Sequence, residues 1–127
     1  MNRKISPHVN IYKFPITAIS SISTRLSGLY LTGLFVGSGI YQLSNKDFKL
    51  HKKYNNLEDY QKKLLNFSLI LPTTYHTLGG IRHFIWDKYP QLLTNTKVAK
   101  SSYLIIGLSL AATPVIDKLF ECPFKDN

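Results

Sequence analysis

Cysteine is nearly absent from this 127-residue chain. The single one, Cys122, cannot pair within the chain, so a disulfide framework is excluded, and with it any cysteine-based zinc or iron-sulfur site. Acidic residues are also scarce: 7 Asp and Glu stand against 16 Lys and Arg, a formal net charge of +9. Composition excludes intrinsic disorder, because only 18% of residues are charged and aromatic side chains make up 13%. There is no internal repeat and no low-complexity tract. The length holds one domain at most, and a mean hydropathy of −0.07 taken alone describes a small basic soluble protein.

Charge is missing in blocks, and that segregation overturns the average. Residues 26–45, 64–81 and 101–116 contain no Asp, Glu, Lys or Arg, giving runs of 20, 18 and 16. A helix rises ~1.5 Å per residue, so the first run covers ~30 Å, the thickness of a bilayer's hydrocarbon core. The other two reach that length if Arg82, Lys100 and Lys118 snorkel to the interface. Aromatic residues bracket the runs as interface belts do: Tyr41, Tyr60, Trp86, Tyr89, Tyr103 and Phe120. Gly33 and Gly37 form a GxxxG, with Gly28 and Gly39 nearby and Gly79–Gly80 in the second run, which suits close helix packing in lipid. The expected fold is therefore all-α: an integral membrane protein with three transmembrane helices over about 22–45, 63–86 and 100–120, one membrane-anchor domain over 1–127. A soluble helical bundle is the competing reading. Pro72 and Pro114 fall inside the second and third spans, where a membrane bundle tolerates them. Basic residues divide eight to eight between the two sides, so the positive-inside rule gives no orientation.

Of four histidines, His8, His51, His76 and His83, only His76 lies well inside a span. An ionisable residue at that depth faces a bundle interior, a cofactor or a pathway. The plain alternative is a neutral imidazole bonded to a neighbouring helix. The chemical alternative is an axial ligand to haem iron, which needs a neutral imidazole nitrogen. His83 is seven residues on, ~10 Å along the helix, whereas two axial nitrogens at ~2 Å from one iron are only ~4 Å apart. The two therefore cannot ligate one iron. A bis-histidine haem would take its second ligand from another chain. Ser21 and Arg25 lie four apart on one helical face at the start of the first span. They offer donors to a polar head such as a quinone carbonyl, or else they merely cap and snorkel. In an up-down-up arrangement Arg25, Arg82 and His83 emerge on the same side.

Three stretches give the chain a family likeness: Ser6-Pro7-His8-Val9-Asn10-Ile11-Tyr12, the S-I-x-x-R-x-S-G pattern from Ser21 to Gly28, and the H-x-x-x-G-I-R-H-x-x-x-D pattern from His76 to Asp87. With these the chain resembles the large cytochrome b anchor subunit of succinate dehydrogenase, respiratory complex II. The resemblance implies a membrane anchor in a heteromeric helical bundle which, with a second small anchor subunit, holds the iron-sulfur and flavoprotein subunits to the bilayer. It implies haem b shared between the two anchors, with His76 as axial ligand and Arg25 and His83 toward the haem propionates. It also implies a ubiquinone site at Ser21 and Arg25, walled by Phe14 and Ile22. The family would place the N-terminus and the loop after the second span on the matrix side. One departure is Thr24, where members commonly have His; a neutral hydroxyl cannot replace a protonated imidazole.

By this reading the subunit passes electrons from succinate oxidation to quinone and is not catalytic alone. The rival is a small non-catalytic membrane protein without cofactor, such as an assembly factor or transporter subunit. A nucleic-acid binder is not expected, because the basic residues flank apolar spans and form no aromatic-interleaved face. The motif at residues 6–12 follows Met1 so closely that no signal or transit peptide is expected. With Lys outnumbering Arg 13 to 3, this suggests the mitochondrial inner membrane, the alternative being a bacterial plasma membrane.

Overall fold

The computed structural model describes residues 14–44 and 54–121. The motif at residues 6–12 with His8, together with His51 and Cys122, lies outside the described residues, as does the side chain of Phe120. Three long helices make up nearly all the rest: α1, Ile16–Ser44; α2, Asp59–Lys88; and α3, Asn95–Glu121. Each has a local reason to start where it does. Pro15 presets its own φ, and its carbonyl accepts from the N–H groups of Ala18 and Ile19. Glu58 opens α2, with its N–H donating to the Gln61 side chain at 3.1 Å, one half of a capping box. The Thr94 carbonyl accepts from Val98 and opens α3. At the end of α2, Pro90 disfavours helical geometry at Tyr89, and a single 3₁₀ turn, Pro90–Leu92, carries the chain into α3.

Cross-helix contacts fix the topology. Arg82 of α2 reaches Ser20 of α1, and His76 reaches Thr24, so these two helices run antiparallel. Arg82 meets Ser102, and Asn66 meets Asp117, so α2 and α3 are antiparallel as well. The starts of α1 and α3 and the end of α2 therefore share one end of the bundle. α2 packs on both neighbours, whereas α1 and α3 touch each other less.

Polarity in this bundle runs opposite to that of a water-soluble domain. The buried side chains are Ser20, Thr24, Arg82, Ser102, Ser109 and Thr113, and Ile105 is the one buried apolar side chain among the described residues. Large apolar residues face outward along all three helices, Phe35 at 82% and Leu43 at 83% exposure among them. Small and hydroxylated residues inside, with apolar residues outside, is the arrangement that helices adopt in lipid. By length and apolar composition alone, one helix among the described residues is suited to crossing a membrane, Asn95–Leu119. The longest charge-free run, in α1, does not stand out in the same way because glycine, serine, threonine and tyrosine dilute it.

Pro72 and Pro114 sit inside helices that continue through them. Beside each, a hydroxyl donates back into the helix: Thr73 to the Leu69 carbonyl at 2.6 Å and Thr113 to the Ser109 carbonyl at 2.7 Å.

Candidate functional site

Arg82 does not snorkel. Its side chain turns into the bundle and is 6% exposed, because the hydroxyls that accept its protons lie inside. Nη1 donates to Ser102 Oγ at 2.9 Å, and Nη1 and Nη2 each lie 3.4 Å from Ser20 Oγ. Trp86, one turn on, lies under the guanidinium at 4.6 Å and also meets His83 edge-on at 5.3 Å. Tyr75 donates toward the Ser20 carbonyl and hydroxyl at 3.2 and 3.3 Å. Among the described residues no carboxylate takes part, and Nε of Arg82 is the one buried side-chain nitrogen or oxygen there without a hydrogen-bond partner. Three helices are thus tied together by one cation held on neutral oxygens.

One turn further into the bundle lies the seam around His76. Its Nδ1 is 2.9 Å from the Thr24 carbonyl. A carbonyl only accepts, so Nδ1 carries a hydrogen, and in the neutral ring Nε2 is then the nitrogen with the lone pair. Two glycines make this approach feasible. A Cβ on Gly28 would lie 2.5 Å from His76 Cε1, and a Cβ on Gly79 would lie 2.7 Å from the Thr24 methyl. Each helix therefore leaves a glycine gap that receives the other's side chain. Thr24 is consumed by this packing, with its hydroxyl donating to the Ser20 carbonyl at 2.9 Å. A Cβ added to Gly33, Gly37 or Gly80 would meet nothing within 4 Å among the described residues, so the GxxxG pair closes no contact between these three helices.

Substituting Gly28 by Ala is expected to push the imidazole off the α1 backbone and break its bond to Thr24. Overpacking of this kind costs about 1–3 kcal/mol. The check is the thermal unfolding midpoint of the purified protein in mild detergent, which should fall; an unchanged midpoint would show that the ring tolerates a methyl there.

The donor set decides what His76 can hold. No group of three or more His, Cys, Asp or Glu able to cage an ion occurs among the described residues. A lone neutral imidazole with a fixed tautomer fits a metal whose other positions are filled by a macrocycle. His76 is on the exposed side of the α1–α2 seam, where a second chain has access.

Ser21 and Arg25 lie on α1 about 100° around the helix from the buried Ser20–Thr24 face, and Ile22 lies roughly opposite that face. Ser21 is half-buried, whereas Arg25, Ile22 and Phe14 are exposed. His83 is also exposed, on α2 at the same end of the bundle. The structure thus separates the three residues expected to emerge together: Arg82 goes inward, and Arg25 and His83 stay on the outside. Sequence reasoning did not find Ser20, Ser102 or Tyr75. The signal available was the arginine itself, since a buried guanidinium requires oxygen acceptors and hydroxyls one to two turns from the helix starts can supply them.

A family model described as the succinate dehydrogenase/fumarate reductase transmembrane subunit matches residues 1–116. The chain is 34% identical over 121 residues to a mitochondrial succinate dehydrogenase cytochrome b560 subunit of Dictyostelium discoideum, covering 91% of this chain but 59% of that one. It is 33% identical to the cytochrome b560 subunit of Porphyra purpurea, covering 83% and 87%. Its identity to the corresponding subunit of Reclinomonas americana is 34%, covering 89% and 83%.

Proposed function

From the premise that the chain belongs to the succinate dehydrogenase/fumarate reductase transmembrane subunit family, we propose that it is a membrane anchor of complex II that helps to hold haem b and ubiquinone. It resides in the mitochondrial inner membrane as a single domain with three transmembrane helices. Although α3 alone is strongly apolar, the outward apolar surface of α1 and α2 supports the same setting for them. A second small anchor subunit completes the helical bundle, and the iron-sulfur and flavoprotein subunits dock on the matrix side.

The observation that carries this reading is the Nδ1–H of His76 bonded to the Thr24 carbonyl, which presents Nε2 as a ligand. Haem b, when bound, supplies a one-electron centre at this depth. This chain contributes the ligand nitrogen, the glycine gap that seats the ring, and the Arg25 guanidinium and His83 imidazole as donors toward the propionates. A further protein ligand to the haem would come from the partner anchor.

Ubiquinone is bound on the outer face of α1. Arg25 stabilises negative charge that develops on a reduced quinone oxygen, and the Ser21 hydroxyl donates a hydrogen bond that orients the ring. Phe14 and Ile22 give the apolar wall. Thr24 takes no part in proton transfer, because its hydroxyl is engaged within α1.

Arg25→Ala removes a charged hydrogen bond worth about 1.5–3 kcal/mol. The expected result is a roughly 10- to 100-fold fall in kcat/KM for quinone, while succinate oxidation with a soluble acceptor is retained. Equal loss of both activities would point to failed assembly and overturn the assignment.

A further inference from the structure

Ser27 lies beside the His76 seam and has no place in the mechanism so far. Its hydroxyl donates to the Thr24 carbonyl at 2.7 Å. That is the same oxygen to which His76 Nδ1 donates at 2.9 Å, and Ser27 Oγ itself is 3.3 Å from Nδ1. Two donors on different helices therefore share one acceptor. We infer that Ser27 is a positioning residue that sets the electron richness of the His76 ligand by competing for the Thr24 carbonyl.

The chemistry follows from how hydrogen bonds reach a metal through imidazole. A strong acceptor at Nδ1–H draws that proton away and makes Nε2 a better donor, which favours the ferric state. A carbonyl that already accepts a short hydroxyl bond has less electron density to offer Nδ1–H. The Ser27 hydroxyl thus moderates the pull on His76 and keeps the iron easier to reduce. The 3.3 Å contact between Ser27 Oγ and Nδ1 acts in the opposite sense, but at that length it is the weaker of the two.

The inference rests on His76 being a haem ligand, and the test separates the two claims. The assembled complex is purified with wild-type chain, with Ser27→Ala, with Ser27→Cys and with Ser27→Thr, and each haem midpoint potential is measured by redox titration monitored at the low-spin absorption bands. Ser27→Ala should retain the low-spin spectrum and shift the reduction equilibrium three- to tenfold toward the ferric form, about 30–60 mV for a one-electron couple. Ser27→Cys, with a weaker donor of similar size, should fall between. Ser27→Thr, which keeps the hydroxyl, should stay at the wild-type potential. Potentials unchanged or raised in Ser27→Ala, or haem lost from both the Ala and the Cys variants, would overturn the tuning role while leaving His76 as ligand. A wild-type complex without low-spin haem would overturn the ligand assignment underneath it.

Discussion

A double substitution, Ser20→Ala with Ser102→Ala, should be among the most damaging in the chain even though it removes only two oxygen atoms. Those oxygens are the acceptors of the Arg82 guanidinium. Without them a side chain 6% exposed would hold its charge among apolar groups and a tryptophan ring. Each hydrogen bond to a charged group is worth about 1.5–3 kcal/mol, and stranding a buried charge costs about 3–5 kcal/mol. The combined loss is of that order, enough to abolish a stable assembled complex. The sharper half of the prediction is the rescue. Adding Arg82→Met removes the stranded charge, and an apolar side chain of similar length fills its place, so assembly should recover substantially. Yield of intact complex in mild detergent and its thermal midpoint check both steps. If the triple variant is no better than the double, the hydroxyls matter for packing and not for holding the cation.

His76→Ala should eliminate the low-spin haem spectrum from the purified complex, read as a reduced-minus-oxidised difference spectrum. It removes the proposed ligand nitrogen and the 2.9 Å tie to Thr24 at once. The two losses are separable. The vacated space lies against Gly28, whose missing Cβ leaves room for a ring, so imidazole added at millimolar concentration should restore part of the low-spin band. A spectrum unchanged by the substitution would sink the ligand assignment. Bands lost together with the other subunits of the complex would instead assign His76 a role in folding.

The three helices were legible because charge is absent in blocks, and the absence of a charge over a bilayer's thickness does not depend on how a helix is rotated. Their ends were less legible. Each helix begins several residues before the predicted 22, 63 and 100, at Ile16, Asp59 and Asn95, because caps at Pro15, Glu58 and Thr94 recruit polar turns outside the apolar run. His76 stood out by depth alone, and its bond to the Thr24 carbonyl of α1 is the one the plain alternative describes; the ligand role is the proposal added to it. Arg82 was misjudged because a charge at the edge of an apolar run is normally drawn to water. Whether it turns inward depends on which hydroxyls two other helices bring alongside, and that register is a property of the assembled bundle. The same holds for glycine: Gly28 and Gly79 accept side chains while Gly33 and Gly37 do not, and no local pattern distinguishes the pairs. Trp86 fitted an interface belt by position, yet it stacks on Arg82.

The hydroxyls of the bundle interior also bear on how the anchor is made. Thr24, Ser102, Ser109 and Thr113 each donate to a carbonyl of their own helix. α1 and α3 can therefore each satisfy these polar groups without their neighbours. α2 cannot, because the acceptors of Arg82 belong to its two neighbours. In the ribosome's order of synthesis one of those neighbours, α3, arrives last. Until it does, the guanidinium lacks the Ser102 acceptor, its shortest bond, so α2 completes its polar contacts only once α3 is in place.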